Sequence, residues 1–74
     1  MKARFYTDHP HRSRIMIYET SIETVPRIGE TVFIPHSDGD THFVDVINVT
    51  YFYNRVNWEN KHVFSHVEIE VEPI

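Results

Sequence analysis

Cysteine is absent from this 74-residue chain, and glycine occurs only twice. Without cysteine there are no disulfides, which fits a reducing compartment, and cytoplasmic residence is the localisation the sequence predicts. Alanine occurs once, among many β-branched and aromatic residues; helical periodicity is nearly missing and strands are predicted instead. No repeat, low-complexity tract or Pro/Gly/Ser linker divides the chain, so residues 1–74 read as a single small domain. Apolar runs extend over only a few residues, against the ~20 that a bilayer-spanning helix needs. The basic start at Met1 and Lys2 has no apolar run behind it. Neither a signal peptide nor a membrane partner is expected.

A chain this short buries only ~60% of the surface exposed by its unfolded form. Small domains with so thin a core commonly add a metal or a partner subunit when disulfides are excluded. A hydrophobic content of 41% with 14% aromatics still argues for a folded domain. The net charge of −4 is unevenly spread. Residues 1–16 carry Lys2, Arg4, Arg12 and Arg14 against Asp8, whereas residues 59–74 carry Lys61 against Glu59, Glu68, Glu70 and Glu72. Such a division reads either as two solvated faces or as a molecule that pairs with itself or with a charged partner.

The clearest element covers residues 63–71. Val63, Val67, Ile69 and Val71 fall on one parity with Ser65, and Phe64, His66, Glu68 and Glu70 on the other. Strict period two predicts a strand with one buried and one wet face. The longest element, residues 41–53, slips in phase: Val44 and Val46 share one parity, while Ile47, Val49, Tyr51 and Tyr53 share the other. That slip predicts a bulge or bend near Ile47 and Asn48. Residues 30–35 form a shorter strand closed by Pro35, followed by a tight turn at residues 37–40 in which Gly39 supplies positive φ. Upstream, residues 14–20 form a strand with Ile15 and Ile17 on one face, and residues 3–7 a shorter one. Residues 54–60 are expected to be the loop of the final hairpin, with Arg55, Val56 and Trp58 giving it an apolar tip. Asn48-Val49-Thr50 matches a glycosylation sequon but reads as part of a strand.

The stretch Val25-Pro26-Arg27-Ile28-Gly29-Glu30-Thr31-Val32, a polar turn, and then Phe43-Val44-Asp45-Val46 resembles the opening of short prokaryotic and phage-borne SH3-like barrel proteins. The resemblance covers about the last two-thirds of the chain and has no counterpart for the segment before Thr20. It implies an all-β fold, a small antiparallel SH3-like barrel of five or six strands, and no particular function.

Histidine is abundant, with six residues. His36 and His42 flank the turn that contains Asp38 and Asp40, and the four are weak metal candidates, since structural zinc sites usually use thiolates. His62 and His66 on a strand lie ~13 Å apart, too far to chelate one ion. His66 and Glu68 share a face and could form an acid–base pair, yet no serine lies in a nucleophile elbow. No catalytic residue, cofactor or enzymatic activity is therefore expected. Tyr51, Phe52, Tyr53, Arg55 and Trp58 would offer bases a stacking surface, but the acidic final strand opposes phosphate. Phe64, assigned by parity to the polar face, joins Val56 and Trp58 as a contact patch, with Tyr53 and Arg55 beside them. The expected role is thus a non-enzymatic binding or assembly module with a protein partner or another copy of itself. A nucleic-acid-binding barrel is the alternative, and a small metal-dependent enzyme the second.

Overall fold

The computed structural model describes residues 1–9, 12–35, 39–56 and 61–74, with the backbone alone for His9, Arg12, Ser13, Val56 and Lys61. The described chain is all strand and turn: β1 (Lys2–His9), β2 (Arg12–Ser21), β3 (Thr31–Pro35), β4 (Thr41–Val56) and β5 (Lys61–Pro73). They form one sheet in the order β2-β1-β5-β4-β3, curled into a half-barrel. This is the expected all-β architecture, compatible with a small SH3-like barrel, with one difference. The expectation was antiparallel throughout, but β1 runs parallel to β5, with Ala3 opposite Val67 and Phe5 opposite Ile69. A parallel pair needs a long crossover, and here almost the whole chain supplies it.

β5 is central because its sequence can satisfy both faces and both edges. On the inner face Val67, Ile69 and Val71 are fully buried. Ala3 and Phe5 of β1 flank them on one side, and Val44 and Val46 of β4 on the other. Ile17 of β2 and Ile34 of β3 complete the core from the two outer strands. Residues 22–30 connect those outer strands and lay Ile22 and Val25 against the core. Backbone bonds pin this crossing at both ends: Ile22 N–H donates to Met1 C=O, while Gly29 N–H donates to Val46 C=O and Val46 N–H to Glu30 C=O. Gly29 takes φ +92°, a conformation that favours glycine, and so turns the chain into β3. Gly39 has φ +95°, as the sequence implied.

Four register shifts interrupt the ladders, one of them between Asp8 and His9, and the other three set which side chains face the core. The slip expected near Ile47 lies between Val46 and Asn48, turning Ile47 outward and returning Val49 to the core side. A second places Ile17 between the pairs Phe5–Tyr18 and Tyr6–Met16, so that both Ile17 and Tyr18 face the core. The third overturns an expectation. Phe52 pairs with His66 but Tyr53 pairs with Phe64, leaving Ser65 as the extra residue of β5. Alternation inverts across it. Phe64, expected on the polar face, is half-buried and packs against the core, whereas Val63, expected inside, is 52% exposed. Pairing also continues to Val56–Lys61, so Asn54, Arg55 and Val56 belong to β4 and not to a loop. No helix among the described residues is long and apolar enough to cross a membrane.

These burials set unequal costs for similar substitutions. Truncating a fully buried isoleucine to alanine costs ~2–5 kcal/mol, a large share of the ~5–10 kcal/mol total expected for a chain of this size. Ile69→Ala should therefore lower the urea midpoint steeply or prevent folding, while Val63→Ala should change stability by less than ~0.5 kcal/mol. Equal losses in urea melts of the two variants would contradict the inversion at Ser65.

Candidate functional site

Two constellations stand out, one on each face of β5. On the outer face, opposite Val67 and Ile69, Glu68 is only 8% exposed although it is a carboxylate. Its Oε1 accepts a hydrogen bond from Arg14 Nη1 at 2.6 Å, and its Oε2 lies 2.8 Å from His66 Nε2. A buried carboxylate is tolerated only with such partners. Arg14 reaches it from β2 by lying across β1, its guanidinium 4.0 Å from the centre of the Tyr6 ring, and its Nε sits 3.4 Å from Glu70. His66 is stacked on Phe52, with centroids 4.8 Å apart and planes 3° from parallel. Its Nδ1 lies 2.9 Å from Ser65 Oγ, a contact opened by the bulge at Ser65.

The protonation pattern follows from the acceptor. An ionised Glu68 can only accept, so His66 Nε2 carries a proton, and the Ser65 hydroxyl donates to Nδ1 when the imidazole is neutral. Burial pushes the Glu68 carboxyl up, but the hydrogen bonds from His66 and Arg14 outweigh burial and hold it below the usual carboxylate range. Burial likewise opposes the charge on Arg14, and its pairing with Glu68 and Glu70 raises its pKa regardless. Arg4, for its part, pairs with Glu19 at 2.8 Å. The basic beginning and the acidic end of the chain thus meet within the sheet through Arg14, which matches Glu68 and Glu70 internally.

The serine–imidazole–carboxylate sequence resembles a nucleophile relay in its order, but it faces away from the concave side. The groove of about 310 Å³ opens instead among Phe5, Tyr18, Val25, Val32 and Ile34. None of Ser65, His66 and Glu68 lines it. Ser65 and Glu68, one at each ring nitrogen, hold the His66 ring that stacks on Phe52.

The second constellation is aromatic. Beyond the last β1–β5 pair, β4 and β5 continue as a two-stranded arm, residues 52–56 against 61–66. On its inner side Phe64 meets Tyr53 edge-on at 5.6 Å and Tyr51, at the arm's base, at 6.5 Å. Tyr51 and Tyr53 are 49% and 57% exposed. The structure therefore brings together Tyr53 and Phe64 of the expected patch and adds Tyr51. Arg55 lies on the same arm in β4. Trp58 and the side chain of Val56 lie outside the described residues, as do His36 and Asp38 of the metal candidates. Asp40 and His42 follow the Gly39 turn, and no group of three metal-ligating side chains occurs among the described residues. Sequence reasoning paired His66 with Glu68 but missed Arg14, because only the strand order carries Arg14 across β1.

No family model, curated protein or solved structure matches the chain.

The lowered Glu68 pKa has a signed consequence. A carboxyl held below its unfolded value stabilises the fold above the ordinary carboxylate range and loses that contribution as pH falls through the folded value. Glu68→Gln should cost about 1–2 kcal/mol at neutral pH, a modest figure because Arg14 remains partly solvated. It should also flatten the fall in stability below about pH 4.5. Urea melts at pH 7 and pH 3 test this, and parallel losses for wild type and variant would remove Glu68 as the acid-sensitive group.

Proposed function

We propose that this protein is a non-enzymatic association module that meets a protein partner, another copy of itself included, through the aromatic side of the β4–β5 arm. The observation that carries this reading is the exposure of Tyr53 beside Phe64 on a ribbon with no third described strand on either flank, with exposed Tyr51 at its base. An isolated two-stranded ribbon is marginal in water, and its aromatic side gains by being covered. Tyrosines suit such a contact because their rings bury large area while their hydroxyls stay hydrogen-bonded.

Tyr53→Ala tests this directly. At the centre of a contact such a truncation typically costs ~2 kcal/mol or more in binding, and as an exposed residue Tyr53 should contribute little to the fold. Sedimentation equilibrium of wild type and variant, together with recovery of partners by tagged protein, should show association in the first and its loss in the second, with similar melting temperatures. Tight, salt-resistant binding of single-stranded oligonucleotide by a monomeric wild type would instead favour the nucleic-acid reading.

A further inference from the structure

A second surface lies where the half-barrel fails to close. β2 and β3 are the two outer strands of the sheet, so each has one edge facing no other described strand. Between them runs the groove of about 310 Å³, walled by Phe5, Tyr18, Ile22, Val25, Val32 and Ile34. An outer strand presents a row of backbone donors and acceptors, which is directional hydrogen-bonding chemistry suited to another strand. A groove near the lower end of the usual ~300–1,000 Å³ range for ligand sites has room for a few side chains of an extended segment. Alternation along that segment would send every second side chain into the groove.

Charge selects the occupant. The one charged side chain in the described lining is Glu30, and the exposed Glu23 lies on the same crossing segment, against Arg27. With Glu30 at the groove and the chain at −4 overall, a cationic segment is favoured there. We infer that the open seam between β2 and β3 accepts an extended peptide of alternating apolar residues flanked by lysine or arginine, which adds as a strand and completes the barrel. This site is separate from the aromatic arm, and the proposal stands whether or not the arm binds a partner.

The experiment uses the full chain, labelled for amide NMR, and a synthetic peptide of alternating valine and threonine with lysine at each end. Addition of the peptide should shift the amides of Tyr18, Thr20, Val32 and Ile34 and leave those of Tyr53 and Arg55 in place. The same peptide methylated on alternate backbone nitrogens cannot form the ladder and should bind at least tenfold more weakly. A glutamate-ended version should also bind more weakly, with the difference shrinking as salt is added. Val32→Lys should weaken the lysine-ended peptide while the outer-face amides of Arg14 and Glu68 keep their shifts, showing that the fold survives. Three results would each overturn the proposal: no shift at millimolar peptide, shifts confined to the arm, or equal affinity for the methylated peptide. A shift pattern confined to the arm would at the same time leave the association reading intact, so the two are told apart.

Discussion

A strand at the centre of a sheet must satisfy four demands together: hydrogen bonds along both edges and suitable chemistry on both faces. β5 meets them with a short run, residues 67–71. Val67, Ile69 and Val71 supply the fully buried side of the core, and Glu68 and Glu70 face outward to Arg14. Its edges hold β1 on one side and β4 on the other. The remaining features follow from this placement. β2 and β3 are carried outward as the two free margins, and residues 22–30 must cross the concave side to join them.

The outer face shows how an acidic strand can sit at the middle of a small fold. Glu68 is buried by partners and not by apolar cover. Arg14 reaches it over Tyr6, and His66 is held by Ser65 on one nitrogen and Glu68 on the other. Such a network gains less net stability than an equal area of packed valine, because the Glu68 carboxylate is drawn from water while Arg14 stays partly solvated. Its value lies in register: sliding β2 along β1 would part Arg14 from Glu68 and strand a carboxylate. The polar face thereby favours the same alignment of strands that the buried face of Ala3, Phe5 and Ile17 requires.

Much of this was legible in local pattern. The alternation of residues 67–71 marks the core strand, and the slip at Ile47 marks the bulge of β4. Phe64 was misread because the inversion at Ser65 has no apolar signature; a serine fits either parity, and only pairing with β4 reveals the extra residue. The parallel partnership of β1 and β5 was equally hidden, since a strand pattern states which face is buried and not which neighbour lies alongside. Arg14 with Glu68 belongs to the same class of information. Tyr53 and Phe64, read as members of two different strands, are neighbours across β4 and β5.

The pairing of β1 with β5 also orders events in time. β1 waits for β5, and at ~5–20 residues per second the residues between them take seconds to make. Meanwhile β1 and β2 can form one hairpin and β3 and β4 another, each a two-stranded ribbon of marginal stability. Neither has a buried face until Val67, Ile69 and Val71 emerge. The fold therefore has no stable half, and contacts joining distant parts of the chain make its assembly slow. A pause in translation before β5 would lengthen the exposure of Val44, Val46 and Phe5 without altering the finished protein. In a nascent chain the vulnerable interval thus runs from the making of β1 to the arrival of β5.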